Sequence, residues 1–240
     1  MSKWFVDAGH GGKDPGAVAN GLKEKDLTLF MVKHFIDYVK KTYPSVQLKA
    51  SRTTDTYIEL NKRAEMANQW GANAFISFHI NSGGGTGFES YIHPNAKART
   101  AEIQEIVHKE VLKVLPKDTV DRGRKRKNLA VLRLTAMPAV LLEVLFIDNE
   151  KDVAVLKTSS YLKKVAEAAA DGLAKAFGVK KASAPVTSPK PASKPVISTG
   201  LLHRVFVDNQ QIGAYAVPDN VINVVKENLG KARSIRIERV

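Results

Sequence analysis

The chain of 240 residues contains no cysteine. This absence excludes disulfide bonds, zinc sites built from thiolates and catalysis by a cysteine nucleophile. It does not decide the compartment, because exported bacterial proteins also often lack cysteine. Two widespread hydrolase motifs are missing as well: the Gly-x-Ser-x-Gly elbow of serine hydrolases and the His-Glu-x-x-His helix of many metalloproteases.

Long hydrophobic runs are absent too. The apolar run at the N-terminus ends at Asp7, whereas the apolar core of a secretory signal peptide takes about 7–15 residues. No later run approaches the ~18 apolar residues of a transmembrane helix. We therefore expect a protein without a membrane span that is made in the cytoplasm and acts elsewhere only after release from the cell.

Acidic residues are scarce: Asp and Glu number 24 against 37 Lys and Arg, which gives a formal net charge of +13. Such a charge favours polyanionic partners. The basic residues are densest at residues 122–127 (RGRKRK), with no interleaved aromatic residue and no signature of a nucleic-acid-binding fold. We therefore interpret this segment as a solvated or substrate-facing loop and expect no nucleic-acid partner.

The most distinctive stretch is residues 6–16 (VDAGHGGKDPG), in which His10 lies among glycines directly after an apolar run. The pattern predicts a buried strand followed by a sharply bent loop. Open α/β folds bind their ligands at the carboxyl ends of such strands. Taken alone, however, the pattern fits an ordinary loop histidine better than a metal ligand.

Three more side chains that can bind a metal or accept a proton occupy comparable positions. Glu24 begins an amphipathic helix, His79 ends the apolar residues 74–79, and Glu143 ends the apolar residues 139–143. Two histidines and one carboxylate are a known ligand set for catalytic zinc. A second carboxylate that does not bind the metal commonly accepts the proton of the water.

The two carboxylates differ in how easily packing explains them. The first turn of a helix favours acidic residues, so Glu24 needs no metal to account for it. Glu143 has only apolar neighbours in the chain, from Leu141 to Phe146. Because an unpaired buried charge is costly, we expect Glu143 to face a cavity or another charge.

The chain resembles the zinc-dependent N-acetylmuramoyl-L-alanine amidases found among phage lysins and bacterial autolysins. The matching segments follow the order of the family and cover residues 1–178. They are residues 7–12 (DAGHGG) with 14–16 (DPG), Glu24, residues 51–53 (SRT), residues 77–81 (SFHIN), and residues 142–143 (LE) with 146–147 (FI).

The resemblance implies that His10, Glu24 and His79 bind Zn²⁺ and that Glu143 is the catalytic carboxylate. The reaction it implies is hydrolysis of the amide bond between N-acetylmuramic acid and L-alanine in peptidoglycan. We expect a phage endolysin that reaches the wall after holin-type release or cell lysis. One alternative is a bacterial autolysin or sporulation amidase of the same chemistry. The other is a non-enzymatic basic protein that binds wall polymer or nucleic acid.

Other polar residues near these segments allow more than one interpretation. We place Arg52 and Asn81 among the substrate-binding residues, although Arg52 could instead pair with Asp55 in a supporting role. Glu89 and His93 could be argued as further metal ligands. We favour the three-ligand set, because it is already complete without them.

The hydrophobic periodicity predicts an α/β domain with an open, twisted, mostly parallel sheet flanked by helices. Strands are predicted at residues 3–8, 46–50, 73–79, 88–92 and 139–144, and residues 128–134 are predicted as a strand or extended segment. Helices are predicted at residues 24–41, 58–70, 96–115 and 161–177. Residues 73–79 are apolar on both faces, so we expect this strand in the centre of the sheet.

The composition changes after this catalytic domain, which we assign to residues 1–179. Residues 180–200 contain four prolines and no acid, which is typical of an extended linker. Residues 201–240 predict a small α+β domain: a hairpin, a helix from Pro218 and a last strand at 234–240. This domain resembles the wall-targeting modules of Gram-positive lysins.

The expected partners follow from these assignments. They are Gram-positive peptidoglycan and its anionic wall polymers. A domain of 40 residues is at the limit of independent stability, so a homodimer formed through residues 201–240 is the alternative to wall binding.

Overall fold

The structure, a computed structural model, describes residues 1–182, 203–208, 210–215, 225 and 234–239. The chain divides into two compact units, Met1–Pro185 and Val186–Val240. The predicted linker lies almost wholly outside the described residues, and so does the helix predicted from Pro218 except at position 225. The proposed roles of the two units therefore remain predictions.

The first unit is an α/β fold. Its strands are β1 Lys3–Ala8, β2 Val18–Ala19, β3 Leu22–Lys23, β4 Gln47–Ala50, β5 Ala74–Asn81, β6 Phe88–Ile92, β7 Asp121–Arg126 and β8 Ala139–Phe146. Its helices are α1 Glu24–Thr42, α2 Leu60–Trp70, α3 Ala98–Leu112, α4 Ala130–Arg133, α5 Glu150–Leu156 and α6 Ser159–Phe177.

Six of these strands form one sheet in the order β4-β1-β5-β8-β6-β7. Neighbouring strands are parallel except for β6 and β8, which are antiparallel. The predicted mostly parallel sheet flanked by helices is thus confirmed. Strand β5 lies between β1 and β8, in the predicted central position.

Alternation along the strands divides the side chains between two faces. On the first face, which we call the three-helix face, Trp4, Ile76 and Leu142 join one large apolar core beneath α1, α3 and α6. On the second face, the two-helix face, Phe5 and Phe75 join a smaller core beneath α2 and α4. The second core covers less of the sheet, so there is room for polar side chains at its edge.

Two predicted segments form different structures. Residues 128–134, predicted as a strand or extended segment, contain α4. A short apolar run fits a helical turn as well as a strand, and Val131 and Leu132 both pack inward. Residues 122–126, predicted as a loop, lie in β7 and pair with β6. Helix α5 was not predicted, although its N-cap Asn149 accepts hydrogen bonds from two backbone N–H groups of the first turn, a recognisable signal.

The described part of the second unit is a three-stranded antiparallel sheet. Its strands are β9 His203–Val207, β10 Gln210–Tyr215 and β11 Ile235–Arg239, in the order β10-β9-β11. The predicted hairpin and last strand are confirmed. Among the helices that the structure describes in either unit, none combines the length and apolar character needed to cross a membrane.

Candidate metal centre and active site

The three predicted metal ligands and Glu143 meet at the carboxyl ends of β1, β5 and β8, where His79 and Glu143 lie on the two-helix face. Along each strand, every second residue joins the large core of the three-helix face, and the residues between them lie on the two-helix face. The latter are Phe5 and Asp7 of β1, Phe75 and Ser77 of β5, and Leu141 of β8. Continuing the same alternation places His79 and Glu143 on this face. His79 and Glu143 are register partners on neighbouring strands, which lie about 4.8 Å apart in a sheet.

His10, Glu24 and His79 form a compact group of possible metal ligands. One ligand atom from each residue lies within 4.8 Å of the other two. The carboxylate of Glu24 stands between the two rings: Oε2 is 3.1 Å from Nε2 of His10, and Oε1 is 2.9 Å from Nδ1 of His79. Residues far apart in the chain are therefore brought to one point.

Asp14 fixes the orientation of His10. The Nδ1 atom of His10 lies 2.8 Å from Oδ2 of Asp14, which leaves Nε2 directed at Glu24. Metal-binding histidines commonly donate their second ring N–H to a carboxylate in this way. His10 also has a left-handed backbone with φ 60°, which turns its ring away from the line of β1.

Two glycines allow the close approach of the three ligands. A Cβ atom at Gly9 would lie 2.4 Å from Cε1 of His79, and one at Gly16 would lie 2.6 Å from Oε2 of Glu24. Both separations are shorter than a van der Waals contact, so the loop has space for the ligands only because it lacks these side chains.

The electrostatics of the group favour a bound cation. Burial alone would raise the pKa of Glu24, but the hydrogen bonds with His10 and His79 outweigh it and hold that pKa well below its usual range. Burial lowers the pKa of His79, yet its hydrogen bond to Glu24 and the charge of Glu143 raise the pKa to about 9. The pKa of His10 is raised against burial by its hydrogen bond with Glu24. A metal ion can take the place of the protons that this negative charge attracts.

Glu143 has the environment of a group that exchanges protons near neutral pH. Burial raises its pKa to about 7, and attraction to His79 offsets only part of that effect. Glu143, His10 and His79 all line a cavity of about 390 Å³ between α2 and the residues around α4. Another cavity, of about 380 Å³, lies at the start of β8; it contains His93 and none of the other predicted site residues.

The residues present fit a zinc ion. The group offers two imidazole nitrogens and a carboxylate oxygen, which is the usual donor set of a catalytic zinc site with one position left open. The carboxylate of Asp14 contacts Nδ1 of His10, on the side of the ring away from Glu24. The buried carboxylate of Glu24 contacts both histidine rings, so all three donors can bind one ion.

A buried ion pair beneath the site was not predicted. Asp7 and Arg63 are almost fully buried, and Nη1 of Arg63 lies 2.8 Å from Oδ1 of Asp7. Ser77 donates a hydrogen bond to the other carboxylate oxygen, and Arg63 donates to the carbonyl of His10 at 2.7 Å. The pair thereby holds the backbone of a candidate ligand. Two signals in the sequence could have indicated this ion pair. Asp7 is an acid inside an apolar strand, and Arg63 lies on the inner face of α2.

The structure places the two predicted substrate-binding residues in different surroundings. Arg52 is 4% exposed and donates to the backbone carbonyls of Ala8, Gly9 and Lys25. It does not pair with Asp55, whose carboxylate instead contacts Lys25. These contacts favour a supporting role for Arg52.

Asn81 is half-buried and donates to Oε1 of Glu89 at 2.7 Å. Glu89 itself accepts hydrogen bonds from Arg122 and Lys125 and does not belong to the ligand group. The ring of His93 accepts a hydrogen bond from the backbone N–H of Asn95. Neither alternative ligand therefore joins the three predicted ones.

The fold is that of amidase catalytic domains. The catalytic domain of CwlV, an N-acetylmuramoyl-L-alanine amidase from Bacillus (Paenibacillus) polymyxa var. colistinus, superposes with a TM-score of 0.70 at 34% identity. The superposition covers 75% of this chain and all of that domain.

Sequence comparisons define the family. Residues 5–175 match the family described as N-acetylmuramoyl-L-alanine amidase. A sporulation-specific N-acetylmuramoyl-L-alanine amidase of Bacillus subtilis is 50% identical over 183 residues, which are 76% of this chain and 71% of the relative. An endolysin of Bacillus phage SPP1 is 44% identical over 218 residues, which are 89% of this chain and 79% of the relative. The chain belongs to the N-acetylmuramoyl-L-alanine amidase family.

Proposed function

We propose that this chain uses zinc to hydrolyse the amide bond between N-acetylmuramic acid and L-alanine in peptidoglycan, with His10, Glu24 and His79 as the metal ligands. The observation that carries the proposal is the convergence of their ligand atoms within 4.8 Å, beside the register partner of His79, Glu143. Zinc bound there would polarise the substrate carbonyl and lower the pKa of a water molecule.

Glu143 carries the proton transfers in this proposal. It accepts a proton from the water that attacks the lactyl carbonyl carbon. When the C–N bond breaks, the same proton passes to the departing amino group of L-alanine. A pKa of about 7 suits a group that must both accept and return a proton near neutral pH. The half-buried position of Glu143 in a cavity gives the substrate access to it.

The decisive experiment combines metal analysis with identification of the new end group. Purified protein should contain about one zinc per chain, and digestion of purified wall should expose new amino groups on L-alanine. A peptidase would expose other amino acids, and a deacetylase would release acetate. Activity that survives complete removal of the metal by a chelator would contradict the proposal.

The substitution Glu143→Gln tests the catalytic carboxylate. We expect turnover to fall by about 10²–10⁴-fold, because general acid–base catalysis is lost, while zinc content stays unchanged. The matched control is Glu102→Gln, which changes a carboxylate that pairs with Arg99 on the exposed side of α3. Turnover by Glu143→Gln equal to that of the control would remove Glu143 from the mechanism.

We further propose that the biological role is that of a phage endolysin. The alignment with the SPP1 endolysin covers 89% of this chain, so it extends past the first unit, which ends at Pro185. The alignment with the sporulation amidase covers 76% of the chain and can be contained in the first unit. Similarity beyond the catalytic unit therefore favours the endolysin.

Expression in the cytoplasm of a Bacillus cell tests this role. An endolysin should lyse the cell only when a membrane pore is expressed with it. Lysis without the pore would indicate a protein that crosses the membrane by another route, as expected for an autolysin.

For the second unit we propose binding to anionic polymers of the Gram-positive wall, and dimerisation is the alternative. A fragment ending at Pro185 should keep the chemistry and lose wall affinity. Shorter fragments are unsuitable, because Ala182 donates to the carbonyl of Thr42 and Lys181 pairs with Asp171. Equal affinity of fragment and full chain for the wall would contradict targeting, and sedimentation of both forms would detect a dimer.

A further inference from the structure

Glu89 is a buried carboxylate that the proposed reaction does not use. It is 3% exposed and accepts hydrogen bonds from Asn81 at 2.7 Å, Tyr91 at 2.8 Å and Nε of Arg122 at 2.9 Å, and also from Lys125. The single negative charge of Glu89 pairs with two cations, Arg122 and Lys125, so the group has a net positive charge. The buried carboxylate of Glu89 thus fixes the position of both cations.

Arg122 is held in a fixed orientation with its outer end free. Its Nε atom bonds to Glu89, and its guanidinium carbon lies 4.8 Å from the centre of the Phe146 ring. Within the described residues, its two terminal nitrogens have no acceptor, and its side chain is 32% exposed. A guanidinium fixed on its inner side and open on its outer side can bind a carboxylate through two parallel hydrogen bonds.

This guanidinium lies close to the proposed site of hydrolysis. Glu89 is the register partner of Glu143 across β6 and β8, and both side chains lie on the two-helix face. Glu143, Glu89 and Arg122 lie on three successive strands, β8, β6 and β7, and Arg122 bonds to Glu89, so its guanidinium lies within about two strand spacings, or about 10 Å, of Glu143. The loop after β5 contacts the same Phe146 ring through Gly85.

The geometry points to Arg122 as a specificity-determining residue that binds a free carboxylate on the stem-peptide residue following L-alanine, with Glu89 as its positioning residue. Such a carboxylate is five bonds from the nitrogen of the scissile amide, and two residues of chain span at most about 7 Å. The distance therefore suits a substrate whose carbonyl lies at Glu143. This inference rests on the proposed amidase function and names the part of the substrate that the site selects.

Two soluble substrates that differ only at this group provide the test. They are N-acetylmuramyl-L-alanyl-D-glutamate, with a free α-carboxylate, and its α-carboxamide. We expect the zinc-loaded full chain to prefer the acid by about tenfold or more in kcat/KM, since hydrogen bonds between charged groups are worth about that much. The variant Arg122→Ala should lose this preference by losing activity on the acid, and Glu89→Gln should reduce it.

The matched control is Arg124→Ala. Arg124 is also exposed on β7 but pairs with Glu105 of α3, on the three-helix face, so its removal should leave the acid-to-amide ratio unchanged. Arg122→Lys, which keeps the charge without the fork, should retain part of the preference. Equal preference in the parent chain and in Arg122→Ala, with both folded by circular dichroism, would overturn the inference.

A binding measurement separates this inference from the amidase proposal. Nuclear magnetic resonance titration with the dipeptide L-alanyl-D-glutamate and its amide requires no turnover. Tighter binding of the acid by the parent chain, absent in Arg122→Ala, would support the role of Arg122 even if no muramyl amide were cleaved. Equal binding of both dipeptides would overturn it even if the amidase activity were established.

Discussion

The two faces of the sheet differ in the side chains that the same strands place on them. Beneath α1, α3 and α6, the three-helix face buries a continuous apolar core. The two-helix face has a smaller core and, at its carboxyl edge, a set of buried or half-buried charged groups. The difference shows that the alternation of one strand can supply stability on one side and chemistry on the other. Each of the following changes tests that division.

Removal of one buried side chain from each face should give similar losses of stability and different losses of function. Arg63→Ala should lower the free energy of unfolding by about 3–5 kcal/mol, because it leaves Asp7 buried without its partner. Phe35→Ala should cost about 3–5 kcal/mol by opening a cavity beneath α1. Denaturant unfolding measures both.

Only the arginine variant should also impair the site. Arg63 donates to the carbonyls of Ala8 and His10, so its loss should weaken zinc binding as well. Equal activity per folded molecule in Arg63→Ala and Phe35→Ala would show that the ion pair serves stability alone.

Zinc affinity should depend steeply on pH. His79 binds metal as the neutral ring, and its pKa of about 9 means that a proton competes for it at lower pH. The apparent affinity should therefore fall by about 50-fold between pH 9 and pH 7, with a slope that approaches tenfold per pH unit well below pH 9. Competition with a zinc-sensitive dye measures this slope.

The control for the pH dependence is His34→Gln, which removes a histidine that pairs with Glu167 on the three-helix face. Its slope should equal that of the parent chain. An affinity independent of pH would mean that His79 is not a ligand.

A smaller effect is expected at the residue that orients His10. The substitution Asp14→Asn should reduce zinc affinity by about 10–100-fold, because it removes the charge that fixes the ring. Asp55→Asn, which changes an exposed acid paired with Lys25, is the matched control. Unchanged affinity in Asp14→Asn would assign Asp14 to the loop rather than to the site.

The smallest effect is predicted on the three-helix face. The hydroxyl of Tyr43 donates to Asp171 at 2.6 Å, and Tyr43→Phe should lower the free energy of unfolding by about 1 kcal/mol. Activity per folded molecule should stay the same. A loss of activity without a loss of stability would contradict the separation of the two faces.

The elements that could be predicted from sequence are those with a clear period. Helix α1 and strands β1, β5 and β8 have patterns long enough to identify. The helix begins at a predicted site residue, and each strand ends within a few residues of one. Helix α4 could not be distinguished from a strand over seven residues. Strand β7 could not be predicted because its residues are mostly basic and resemble a solvated loop. In the structure, Arg122 and Arg124 pair with Glu89 and Glu105, which belong to other elements.

The site was predictable only in part for a related reason. The resemblance identified the residues proposed as ligands and base, but it gave no indication of their supports. Arg63 and Glu89 act through contacts with groups distant in sequence, and no local period reports such contacts. Asp14 lies only four residues from His10, but both are in an irregular loop that has no period. Their roles became visible only with the three-dimensional arrangement.

The close approach at Gly9 has a consequence for any variation of this enzyme. An added methyl group at that position would occupy the space of the His79 imidazole, 2.4 Å from its Cε1 atom. A residue with no functional group therefore determines whether a ring some seventy positions later can reach its place. Libraries that diversify this loop should keep position 9 constant, as strictly as the histidines themselves.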